Sequence, residues 1–213
     1  MTTAMPRSGL RARQVAMVAR LAVRATTWQP LAIAMVGGLA LVATGSRASV
    51  VTRMAIAGAA VAAGTAFALD DPAAVTLAPS PTSRLARRLM RVGTVVLATG
   101  LWWATVAGVA ASRVHPLPWR SLTVQLAVFV AVALAVSATA ASLGDRTDGG
   151  VAGAVVVLGC YVATFLPPRW WLPFPASPNA PGAPARHVAI LAVATTVLVV
   201  ASRDPASRRT SSW

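Results

Sequence analysis

The chain has 213 residues, of which 56% are hydrophobic and only 11% charged. That balance argues against a soluble domain of this size. The formal net charge is +14, all 19 basic residues are arginine, and neither lysine nor glutamate occurs. The arginines stand between apolar runs, so they suit phosphate headgroups better than nucleic acid, and no nucleic-acid partner is expected.

Residues 1–27 carry Arg7, Arg11, Arg13, Arg20 and Arg24. Arg13, Arg20 and Arg24 share one helical face, away from Val15, Val18 and Leu21. This pattern predicts a cytoplasmic tail with an interfacial amphipathic helix. A secretory signal is the rival, but the basic region is too long and further apolar runs follow.

Six spans follow over residues 28–202: Trp28–Gly45, Val50–Leu69, Val92–Ser112, Ser121–Leu143, Val151–Leu166 and Val188–Ser202. The middle ones match the roughly 20 residues that cross a hydrocarbon core, and the last two are short by that measure. The expected fold is therefore all-α: a polytopic membrane protein with about six transmembrane helices. With both termini inside, thirteen arginines lie on the inner side and six on the outer. That asymmetry predicts cytoplasmic termini, including a short tail over 203–213, in a multi-pass protein of the bacterial cytoplasmic membrane.

No charged residue falls in the middle of a span; Arg53 sits near an outer end, from which it can snorkel. Ion-coupled carriers place ionisable groups at membrane depth, so this pattern argues against one. Gly100, Ala104 and Gly108 form a small-residue row on the third span, and Ala60 and Gly64 form one on the second. Such rows predict close helix packing, within the chain or at a dimer seam. Trp102 and Trp103 stand near the middle of the third span, away from the usual aromatic belts. They are either bulky contacts with neighbouring helices or the lining of a pathway.

The loop over 167–187 holds seven prolines, together with Trp170, Trp171 and Phe174. A continuous helix across it is excluded. A re-entrant-like outer segment at headgroup level is expected. Cys160 is the single cysteine, and no Cys/His cluster suggests a metal site.

Leu69–Val92, LDDPAAVTLAPSPTSRLARRLMRV, is the longest interruption on the inner side. Asp71 followed by Pro72 reads as an N-cap with proline at the first helical position. Pro79 stops that short helix. Ser80-Pro81-Thr82-Ser83 offers a second start. Arg84, Arg87, Arg88 and Arg91 follow at i, i+3, i+4 and i+7, one stripe of a helix that runs into the third span. Two readings stand for this 70–91 loop: a solvated connection with headgroup anchors, or a docking helix for a cytosolic partner.

No phosphate-binding G-x-x-x-x-G-K-[ST] motif occurs, and no G-x-S-x-G elbow. The five carboxylates, Asp70, Asp71, Asp145, Asp148 and Asp204, all fall in cytoplasmic segments of this topology. The chain is therefore not expected to be an enzyme. Any energy for transport would come from another polypeptide.

The loop resembles that between the second and third spans of type-2 ATP-binding-cassette (ABC) export permeases. That family shows acidic and arginine residues, then Gly-Thr-Leu, a leucine pair, Pro-Val-Ser-Arg, and a lysine further on. Aligning Pro81-Thr82-Ser83-Arg84 with the last tetrapeptide places Asp70 on a family glutamate, Leu77 on a leucine and Arg91 on the lysine. Pro72-Ala73 stands in place of Gly-Thr, Ala68-Leu69 in place of the first Glu-Arg, and Val75 in place of an acidic residue. The composition, rich in alanine and arginine, also resembles that of high-GC actinobacterial proteins.

The resemblance implies a permease subunit of an ABC exporter, paired with a second copy or a paralogue in the lipid bilayer. It implies a cytosolic ABC ATPase subunit that docks on Asp70, Asp71, Pro72, Leu77, Ser80, Pro81, Thr82, Ser83 and Arg84. No cofactor is expected in this chain; ATP and magnesium would belong to that partner. The absence of buried charge points to an amphiphilic or lipid-like substrate. The alternative is a non-transporting membrane scaffold or accessory subunit that recruits a cytosolic partner.

Overall fold

The computed structural model describes residues 27–70, 84–143, 149–165 and 183–202. Among these, every element is a helix. We number the α-helices α1 (Trp28–Ala43), α2 (Val50–Ala66), α3 (Arg84–Ala111), α4 (Trp119–Leu143), α5 (Gly150–Ala163) and α6 (Ala183–Ala201). Short 3-10 turns, Arg47–Ser49 and Phe67–Leu69, flank α2.

The apolar runs account for these helices, because a helix satisfies its own backbone polar groups and leaves only apolar side chains outside. Three helical stretches, Arg47–Leu69, Arg88–Ala111 and Trp119–Leu143, are long and apolar enough to cross a membrane. Trp28–Ala43, Gly150–Ala163 and Ala185–Ala201 are apolar but shorter. At 1.5 Å per residue, the 28 residues of α3 extend about 42 Å, more than a hydrocarbon core of about 30 Å. Its basic first turns therefore have length to project beyond the apolar layer, as the stripe of arginines predicts.

Boundaries shift in two places. Helix α6 starts at Ala183, five residues before the expected span at Val188. Pro184 falls in its first turn, where a missing N–H removes no intrahelical bond. Helix α5 begins one residue early, at Gly150, and ends at Ala163. Of the tail expected over 1–27 only Thr27 is described, and of the outer loop expected over 167–187 only residues 183–187, which form the start of α6; the rest of both, and the tail over 203–213, lie outside the described residues.

Helices α2 and α4 form the centre. Helix α2 packs against α1, α4 and α5, and α4 also packs against α5 and α6. Helix α3 lies at the side, touching α1 and α2. The core between them holds Met54, Val61, Val106, Phe129, Leu134 and Val157, all essentially buried. Small residues let α2 take this place. A Cβ on Gly64 would stand only 2.9 Å from the Leu31 Cα, so α1 and α2 cross backbone to backbone there. Ala60, one turn earlier, is half-buried.

The row on α3 behaves differently. Gly100, Ala104 and Gly108 are exposed, and among the described residues nothing lies within 4 Å of a Cβ added to either glycine. Among the described residues of this chain, a close approach is made at Gly64, and the α3 row meets no neighbouring helix. That row shares its surface with Leu97 and Leu101, each 64% exposed.

Candidate functional site

Two ends of the bundle are defined by hydrogen bonds that join distant parts of the chain. At the first, the Phe67–Leu69 turn is touched by α1, α3, α4 and α5. The Thr27 hydroxyl donates to the Phe67 carbonyl at 2.7 Å, fixing the start of α1. Asp70 leaves this turn in extended conformation, and its Oδ1 accepts the Gly150 N–H at 2.8 Å.

Helix α5 needs that bond. Its N-cap position is Gly149, which has no side chain to offer. The first N–H groups of a helix lack intrahelical partners, and its N-terminus carries partial positive charge. Asp70 supplies the acceptor and the negative charge from the end of α2. It is the one carboxylate among the described residues. The approach also demands glycine: a Cβ on Gly150 would lie 2.7 Å from the Phe67 ring and 2.8 Å from its Cα. A Cβ on Gly153, one turn later, would run into the Ala133 carbonyl oxygen and the Ser137 hydroxyl of α4.

At the same end, Arg88 Nη1 donates to the Ala201 carbonyl at 2.8 Å. This satisfies one of the orphan carbonyls that close α6, where cations are favourable. Arg91 is almost fully buried, one turn further along α3. The stretch between Asp70 and Arg88 thus leaves the bundle beside α5 and returns beside α6. Of the residues expected to couple to a partner, Asp71, Pro72, Leu77, Ser80, Pro81, Thr82 and Ser83 lie outside the described residues. Arg84 and Arg87 stand on the first turn of α3.

The second end is built by arginines. Arg53 Nη1 donates to the Leu41 carbonyl at 3.0 Å. Arg113 Nη1 donates to the Gly45 carbonyl at 3.2 Å and, more distantly, to Val42 at 3.4 Å. Both guanidinium groups therefore serve the last turn of α1. Arg53, placed by the sequence near an outer end, thus binds the backbone of the last turn of α1.

Between the two ends, Trp102 and Trp103 are buried and both indole N–H groups are bonded. Trp102 donates to the Met35 carbonyl at 2.8 Å, and Trp103 to the Thr123 hydroxyl at 3.1 Å. They tie the lateral helix α3 to α1 and α4. Neither lines the groove between α4 and α6. That groove, of about 600 Å³, runs between one face of α4 from Val132 to Leu143 and one face of α6 from Ala189 to Val197.

Among the described residues, no group of three or more His, Cys, Asp or Glu side chains comes together. Two interior hydroxyls are spent locally, Thr65 on the Ala62 carbonyl and Ser137 on Ala133, whereas those of Thr99 and Tyr161 are buried with no hydrogen-bond partner among the described residues. Sequence reasoning did not find the Asp70–Gly150 bond or the α4–α6 groove. Gly150 and Gly153, at helical spacing, were a readable signal for the first; nothing local pairs α4 with α6. Comparison with family models, with curated proteins and with solved structures finds no match to this chain.

Proposed function

We propose that this chain is the membrane-spanning permease subunit of an ABC exporter. It spans the bacterial cytoplasmic membrane six times with both termini inside. A separate cytosolic ATPase docks on the 70–91 loop, and a second copy or a paralogue completes the pathway. The observation that carries this reading is the anchoring of the loop at both ends. Asp70 holds the start of α5, and Arg88 holds the end of α6.

A partner that shifts the loop therefore pulls on two helices at once, through bonds of 2.8 Å each. Packed helices move as rigid bodies more readily than they deform, so displacement of the loop is passed to α5 and α6 as tilt or translation. The described interior offers apolar surface and no carboxylate, which suits an amphiphilic or lipid-like substrate better than an ion.

Affinity purification of the full chain from native membranes in mild detergent tests the reading. Recovery of an ATPase that is lost with Leu77→Asp supports it. Recovery through the same loop of a partner without nucleotide-binding motifs would favour the scaffold function instead.

A further inference from the structure

We propose that the α4–α6 groove holds one acyl chain of an anionic phospholipid, with the lipid phosphate at the Arg88 end. The proposal requires only that these helices lie in a bilayer, and it stands apart from the permease reading.

The lining fits hydrocarbon. It is alanine, valine, leucine and isoleucine with a single hydroxyl, Thr139. That hydroxyl donates to the Ala135 carbonyl at 2.8 Å, so it asks nothing of an occupant. A methylene chain loses no hydrogen bond on entering, and each buried CH₂ contributes about 0.8 kcal/mol relative to water.

The length fits one leaflet. From Val132 to Leu143 helix α4 rises about 16 Å, and from Ala189 to Val197 helix α6 rises about 12 Å. Half of a hydrocarbon core of about 30 Å lies between these values. A helix from a second copy is about 10 Å across, far wider than one acyl chain. This groove occupies only part of each helix and fits a single flexible chain better.

The charge is at the correct end. Ala201 follows Val197 by one turn, on the same face as Ile190, Ala194 and Val197. Arg88 Nη1 sits 2.8 Å from the Ala201 carbonyl, so its guanidinium lies at the α6 end beyond Val197, the last α6 residue of the lining. A phosphate there gains attraction that an acyl chain alone cannot provide.

Native mass spectrometry of the full chain, titrated with phosphatidylglycerol and with phosphatidylcholine of identical chains, tests the assignment. One phosphatidylglycerol should be retained with at least about fivefold preference, which corresponds to about 1 kcal/mol. Val193→Trp fills the groove from an exposed position and should reduce that retention fivefold or more. Val155→Trp, on the open face of α5, should not. Arg88→Gln should bring phosphatidylglycerol down to the level of phosphatidylcholine, and Arg88→Lys should keep most of the preference. Equal binding of the two lipids, or full retention in Val193→Trp, would overturn the proposal. So would a dimer that Val193→Trp dissociates, because the groove would then belong to a second copy.

Discussion

The Asp70 carboxylate accepts the Gly150 N–H at 2.8 Å across a separation of 80 residues. One side chain thereby closes α2 and opens α5. A local cap would make α5 independent of the rest of the bundle. A borrowed one makes the start of α5 depend on where the Phe67–Leu69 turn stands.

Asp70→Ala should therefore loosen the first turn of α5 without unfolding the chain. Removing an N-capping side chain costs about 1 kcal/mol. Hydrogen exchange at the Gly150 and Val151 amides should accelerate about fivefold, by the same arithmetic. Asp70→Asn keeps a capping oxygen and should show a smaller change. Unaltered exchange in the alanine variant would mean that the bond contributes nothing to α5.

Three glycine variants separate contact from mere spacing. Gly153→Leu should abolish accumulation, because its side chain has no room beside Ala133 and Ser137. Gly64→Leu should do the same against the α1 backbone. Gly108→Leu should accumulate as a folded monomer, since among the described residues nothing lies within 4 Å of the added Cβ. Quantitative immunoblotting of membranes with a folded-monomer assay gives the order. Equal loss in all three would show that the α3 row is in fact in contact.

These glycines show where sequence reasoning stops. The six apolar runs emerge as helices within a few residues, and the basic stripe of α3 continues into its apolar part as the pattern implies. A small-residue row shows that a close approach is allowed, but not which neighbour makes it. Gly64 and Gly108 look alike in sequence, yet one meets the α1 backbone and the other faces outward. In a water-soluble helix, polarity would mark the outer face. Beside lipid, outward-facing Leu97 and Leu101 are as apolar as buried Val95 and Val106. The loop shows the same limit. Asp71 with Pro72 reads as a local cap, whereas the bond of adjacent Asp70 runs to α5, marked in the sequence only by the spacing of Gly150 and Gly153.

The tryptophan pair should stabilise α3 unequally. Trp102→Phe removes the bond to the Met35 carbonyl and should cost about 1 kcal/mol. Trp102→Ala also empties the notch over Gly38 and should cost about 3–5 kcal/mol. Unfolding in mixed micelles, followed by the fluorescence of the remaining tryptophans, should rank the variants in that order. Identical midpoints for wild type and Trp102→Ala would place the indole outside the core.

Topology follows from the two ends. Ser46 and Ser112 stand at the arginine-built end with Arg53 and Arg113, while Ser142 stands at the end of Asp70 and Arg88. In a Cys160→Ala background, cysteines at Ser46 and Ser112 should react with an impermeant maleimide added outside intact cells, and one at Ser142 should not. Labelling of all three from the same side would contradict the six-span arrangement.

In the proposed function, the 70–91 loop is the seat of a cytosolic ATPase that drives this chain. The most direct measurement compares wild type with Leu77→Asp, at equal membrane abundance, for recovery of the ATPase and for ATP-dependent movement of an amphiphilic dye in vesicles. An aspartate in an apolar docking cleft would bury an unpaired charge. The account predicts normal insertion, at least a tenfold loss of bound ATPase and loss of transport. A Leu77→Asp chain that keeps both its partner and its activity would contradict it.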